Sequence, residues 1–249
     1  MCIRALDYLP PVDVTFFDFL RALVTADYDF VPDDKYNYRV AIIEAFTAHG
    51  IRPGSDVNVS SLSEDGLRWA GFPNRVRQAK QYAEVVDGLR AYAQECVTLE
   101  DRKSLFCSTR DHRRHLNRLF SDAFDESASF RKSLGLMDGG FEVHSLRQAM
   151  RARPNGRVEP EVIVSLVQSR SVRSKGVTKH RRLGGVTLVV NLASESNLPR
   201  YRIAKPIGDA DRQKAMADFA TENAQDPLRQ LYLGPDRERF AALHHLADS

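Results

Sequence analysis

The stretch VTLVVNL, residues 186–192, sets Val186, Leu188, Val190 and Leu192 in alternation with Thr187, Val189 and Asn191. A period of two sends the first set to one face of a β-strand and the second to the other. Downstream, RYRIAKPI, residues 200–207, puts Tyr201, Ile203 and Ile207 on one face of a further strand. Upstream, residues 141–150 and 162–172 read as two more strands. Between these stands Pro154-Asn155-Gly156-Arg157, with the Asn-Gly pair favoured in tight hairpins because both residues tolerate positive φ. This pattern predicts a four-stranded, mainly antiparallel sheet. Closing helices near residues 209–224 and 236–247 are expected to cover one of its faces, which makes the fold class α+β.

Before the sheet the period is helical. Pro10 and Pro11 end a first helix whose Ile3, Leu6 and Leu9, spaced by three, form its apolar side. No N-cap precedes it, and a start inside an element predicts an earlier portion of chain. Thr15 caps the next helix, with Asp18 three positions on as a short-armed capping box. Phe16, Phe19, Leu20, Leu23 and Val24 share a face there. Asp33 or Asp34 caps a third helix, where Val40, Ile43 and Phe46 or Thr47 continue the apolar side. His49 lies in its last turn, Gly50 fits the left-handed position after it, Ile51 packs back and Pro53 stops continuation. A long helix is predicted from Pro73 to Cys96, weakened at Gly88, then helices over 100–107 and 109–124. Gly135, Gly139 and Gly140 mark a boundary, so the expected organisation is a helical lobe, 1–138, and an α+β domain, 139–249.

Composition narrows the function classes. The 249 residues are 43% hydrophobic, enough for one large or two small cores. The 36 Lys and Arg against 33 Asp and Glu leave a net charge of +3, too weakly basic for a dedicated nucleic-acid binder, so nucleic acid is disfavoured as a partner. Cys2, Cys96 and Cys107 fit no zinc spacing, and an odd count makes a poor disulfide framework. Free thiols, the lack of a basic-then-apolar leader and the lack of an apolar run of roughly 20 residues predict a soluble cytoplasmic chain with no membrane partner.

Three stretches carry a family likeness: RALDYLPP at 4–11, TFFDFLRALVTADYDFVPDD at 15–34 and YRVAIIEAFTAHGI at 38–51. In order, spacing and helix ends they resemble the C-terminal helical segment of the thermolysin-like metallopeptidases, the gluzincins, and their fungalysin relatives. That likeness covers about a fifth of the chain. A longer likeness, to bacterial proteins in which such a peptidase-like portion is followed by strands, takes in GGVTLVV at 184–190 and RYRIAKPI at 200–207. The resemblance implies a non-catalytic C-terminal portion, inactive alone, whose partner is a missing N-terminal peptidase half. Zinc is then expected only in that upstream portion. A gluzincin needs an HExxH helix, a further glutamate ligand and a transition-state histidine, and none of these positions exists here, so no catalytic residue transfers. An apolar face left bare by the missing half predicts self-association.

The residues themselves offer few sites. His112 and His115 are spaced i, i+3 beside Asp111, but the basic segment DHRRH disfavours a metal ion and reads as a solvated helix face. Neither a GxSxG elbow nor a phosphate-binding glycine loop occurs. Asp33, Asp34, Glu100 and Asp101 stand at helix starts, where the helix dipole accounts for them. Trp69 reads as a packing residue, and Asn58-Val59-Ser60 as an unused glycosylation triplet. The segment 170–182 holds Arg170, Arg173, Lys175, Lys179, Arg181 and Arg182 with no acid. It reads as a solvated loop between the second and third strands, and it is the candidate polyanion contact. The alternative to the peptidase reading is a stand-alone interaction module that binds a protein or polyanion through its sheet edge or this basic loop.

Overall fold

The computed structural model describes residues 1–52, 62–73, 76–174 and 177–221. A four-stranded sheet forms its centre: β1 (Glu142–Ala152), β2 (Val158–Ser174), β3 (Val177–Asn191) and β4 (Tyr201–Lys205). The order is β1-β2-β3-β4 and every pairing is antiparallel, so the α+β class and the sheet are as the alternation predicts. Gly156 turns the first hairpin at φ 77°, the left-handed conformation its lack of a Cβ permits.

Helices cover both faces of the sheet. Val162, Val164, Leu166, Val186, Leu188 and Val190 point to one side. They pack under α5 (Ala79–Val97), α6 (Arg102–Glu126) and α7 (Ala128–Ser133), which bring Leu89, Leu116, Phe120 and Phe130. Ile163, Val189, Tyr201 and Ile203, one residue out of phase, point to the other side. There they meet α1 (Cys2–Ala5), the 3-10 turn Leu6–Tyr8 and α2 (Phe16–Phe30) through Ala5, Tyr8, Ala22, Leu23 and Ala26. A third cluster joins α2 to α3 (Tyr38–Ala48) and α4 (Glu64–Leu67) through Leu20, Val24, Ile43 and Leu67. Both sheet cores therefore run across the glycine-rich turn at 135–140.

Among the described residues the covering of the sheet differs from expectation. The helices before the sheet supply both layers, while α8 (Ala210–Thr221) only reaches the edge of β3, where Arg212 Nη2 donates to the Leu183 carbonyl at 2.9 Å. The predicted helix near 236–247 lies outside the described residues, as does Asn58-Val59-Ser60.

Local signals held where they were chemical. Thr15 and Asp18 form the reciprocal capping box. Asp34 accepts from the Tyr38 and Arg39 amides at 2.8 and 2.7 Å. Gly50 sits at φ 75°, and its amide and that of Ile51 bond back to Thr47 and Phe46, a Schellman stop. Three expectations failed. The long helix starts at Ala79 rather than at Pro73, which lies outside it. Residues 102–126 form one helix, because nothing at Ser108 or Thr109 breaks the backbone ladder. Across α1 and the 3-10 turn the face inward is Ala5 and Tyr8, while Ile3 and Leu6 are 86% and 51% exposed.

The basic segment is not a loop. β2 and β3 continue as paired strands through it, and only Lys175 and Gly176 lie outside the described residues. Among the described residues, no helix is long and apolar enough to cross a membrane.

Candidate functional site

Near the turn that joins β1 to β2, the sheet face toward α2 changes from apolar to ionic. The alternation that aims Ile163 inward also aims Glu161 and Glu159 inward, with Arg151 opposite Glu159 in register and Asn191 opposite Glu161. Glu161 is fully buried. Its carboxylate accepts from Arg151 Nε at 3.1 Å and from Arg153 Nη2, and Arg200 Nη1 lies 3.9 Å away. Glu159 takes Arg153 Nε and Asn191 Nδ2, each at 2.7 Å.

Arg200 links this group to a second buried carboxylate, Asp29 of α2. Asp29 accepts from Arg200 Nη2 at 2.6 Å and from the hydroxyls of Tyr8 and Tyr201, both at 2.8 Å. The two rings meet edge-on with centroids 5.5 Å apart. Asp7 closes the network through ion pairs to Arg147 and Arg151. Trp69 adds a donor from Nε1 to the Tyr8 carbonyl at 2.9 Å, under an Arg21 guanidinium 3.6 Å from its ring, so it packs as its sequence position suggested.

Electrostatics decides what this cluster can do. Burial, then the charge of Asp29, pushes both the Tyr8 and the Tyr201 hydroxyl well above the ordinary tyrosine value. Both therefore stay protonated as donors at neutral pH and supply neither a base nor a phenolate nucleophile. Burial draws Arg200 down, but the carboxylates around it, Asp29 first and then Glu161, outweigh it and hold its pKa above the usual value. Hydrogen bonding to Arg153 keeps the Glu159 carboxyl below its usual value. Each charge has a partner of opposite sign and directed hydrogen bonds, the condition under which buried ions can be tolerated. The cluster is chemically a clamp: it fastens the helical segment 1–30 to all four strands.

A pocket of about 220 Å³ adjoins the clamp. Leu6, Leu9, Pro10, Pro11 and Val14 form its apolar wall, and Arg147, Ser165 and Thr187 its polar side. Ser165 and Thr187 bond to each other through their hydroxyls at 3.1 Å.

The structure scatters the sites predicted from sequence. His112 lies between α5 and α6, with Nε2 2.8 Å from Glu95 and its ring against Tyr92, while His115 is exposed. Among the described residues no group of three His, Cys, Asp or Glu is placed to hold a metal ion. Arg170 and Arg182 do come together, directly opposite each other on β2 and β3, and both are exposed. Arg173, Lys179 and Arg181 stand on the same two strands, and Lys175 falls outside the described residues. Sequence reasoning missed Asp29, Glu161 and Arg200. The signal for Glu161 was present, a glutamate in phase with Ile163, but its partners are far away in the chain.

The outer surface of the helical segment is also distinctive. Of the 17 exposed large apolar side chains among the described residues, ten belong to residues 1–40, with Ile3 at 86%, Phe16 at 74% and Tyr36 at 70% exposure. No protein-family model, curated protein or solved structure matches the chain.

Proposed function

We propose that the chain is the non-catalytic C-terminal portion of a gluzincin-like, zinc-metallopeptidase-related protein, and that the outer face of residues 1–40 seats the peptidase half. One observation carries this reading: the segment with the family likeness holds most of the exposed apolar side chains while its inner face is clamped to the sheet. An apolar surface concentrated on one segment is what a protein–protein contact uses. On this reading zinc and the hydrolytic residues belong to the other half. The unpaired cysteines Cys2, Cys96 and Cys107 support a cytoplasmic setting.

The test is co-expression with the reading frame upstream, followed by co-purification and a zinc-dependent proteolysis assay. The expected result is a complex that carries the activity and that dissociates in an Ile3→Ser, Phe16→Ser double variant. Zinc-dependent proteolysis by the purified chain alone overturns the reading, and so does a monodisperse chain that binds no such half. The second reading, a stand-alone interaction module, is favoured by a different observation: the charge carried by the β2–β3 hairpin.

A further inference from the structure

We infer that the outer half of the β2–β3 hairpin is an arm that grips the phosphate backbone of duplex nucleic acid. The sheet pairing defines the arm. β1 leaves β2 at Val167, paired with Glu142, and β4 leaves β3 at Gly185, paired with Lys205. Beyond those points β2 and β3 continue alone, from Gln168 opposite Gly184 to Ser174 opposite Val177. Seven residues of β2 at about 3.3 Å each make a ribbon roughly 20 Å long. A two-stranded ribbon of this kind enters the major groove of a B-form duplex, which is about 12 Å wide.

The charge on this ribbon is out of proportion to the rest of the chain. Positive and negative residues nearly balance overall, 36 against 33, yet residues 169–183 hold six cations and no acid. Five of the six stand on β2 and β3: Arg170, Arg181 and Arg182 in paired register, Arg173 and Lys179 where the register shifts between Val172 and Ser174. Arg170 and Arg182 are direct cross-strand neighbours. Like charges in that position destabilise a sheet by some tenths of a kcal/mol. Arg170 donates to the Asp138 carbonyl, which orients the guanidinium without neutralising it. A polyanion would relieve the repulsion and release its own counterions.

The rest of the segment selects among polyanions. Residues 169–183 contain no aromatic ring, so single-stranded bases have nothing to stack on. Val172, Val177 and Leu183 are its only large apolar residues, too few to bury in a bilayer interface. Ser169, Ser171, Ser174 and Thr178 are short hydroxyl residues of the type that donate to phosphate.

The experiment is fluorescence anisotropy with a mixed-sequence duplex of about two helical turns, titrated over a range of salt. The full chain is compared with an arm variant, Arg173→Gln, Lys179→Gln, Arg181→Gln and Arg182→Gln. A control removes the same charge from the exposed face of α6: Lys103→Gln, Arg110→Gln, Arg114→Gln and Arg118→Gln. The arm variant is expected to bind at least about tenfold more weakly and to flatten the slope of log K against log salt by roughly 3 to 4, at about 0.9 per phosphate contact. The control should keep the parent slope. Should the fourfold variant unfold by circular dichroism, Arg182→Gln alone tests the same point with a slope change of about 1. Equal loss in arm and control variants overturns the proposal. So does equal affinity for a single strand, or binding of anionic phospholipid vesicles in preference to duplex.

Discussion

Asp29 is the residue on which the most structure depends. Its two oxygens hold two tyrosine hydroxyls and one guanidinium, all contributed from other elements. Asp29→Ala leaves two buried tyrosine hydroxyls without an acceptor and takes the nearest carboxylate from the half-buried Arg200, and a loss of about 3–5 kcal/mol is expected in urea unfolding. An exposed pair such as Lys80–Glu84 should cost under about 0.5 kcal/mol when broken. The tyrosines add a pH prediction. Their hydroxyls titrate higher in the folded chain than the ordinary 10.0, so the unfolded state alone loses protons above that value and stability falls as pH rises past it. Phenolate absorbance of Tyr8 and Tyr201 is expected to appear together with alkaline unfolding; its appearance in folded protein would contradict the clamp. The acid side runs in the opposite direction. Glu159 is held below its ordinary 4.5, so its contribution is present above that pH and is lost as pH falls through the folded value. Glu159→Gln should therefore flatten the stability profile below about pH 4.5.

At the scale of elements, two glycines separate tolerant contacts from rigid ones. A Cβ on Gly88 in α5 would meet Leu119 Cδ1 at 2.9 Å and Leu116 Cδ2 at 3.3 Å, the ends of flexible side chains on α6. Gly88→Ala also gains helix propensity of roughly 0.8–1 kcal/mol, so a net change within about 1 kcal/mol is expected. A Cβ on Gly184 in β3 would meet the Cα and N of Ile207 at 2.6 Å, which is backbone and cannot swing aside. Gly184→Ala is expected to cost about 1–3 kcal/mol, and thermal melts of the two variants should rank them in that order. The elements also show what could be read in advance. Strands, caps and the Gly50 stop were legible because each depends on residues two to five apart. The inward face of α1 was not. Ile3, Leu6 and Leu9 have the better apolar spacing, but Ala5 lets α1 approach Ala22 and Ala26 closely, and Tyr8 finds Asp29. The early start of β3, residues 177–185, was hidden for a similar reason: its charges read as solvent-facing loop, and the pairing is enforced by the strands it extends. Of the candidate site, the cations were legible one by one, and their cross-strand meeting was not.

At the largest scale the described residues form a sheet with helical cover on both sides, and that cover precedes the sheet in the chain. A polypeptide cut between residues 138 and 139 is expected to expose Val164, Leu188 and Ile203 together, because both of its sheet faces lose their partners. The fragment 139–249 should bind hydrophobic dyes and melt without a cooperative transition, whereas independent folding would show that the sheet needs neither helical layer.

The clamp has a consequence for synthesis. Asp29 leaves the ribosome 171 residues ahead of Arg200 and 172 ahead of Tyr201. At about 5–20 residues per second, that is a delay of roughly ten to thirty seconds. During it a carboxylate and the inner faces of α1 and α2 have no sheet to dock on. Residues 1–30 thus wait longest for their docking partners, and translation speed or a chaperone that holds these helices is expected to set the yield of folded protein.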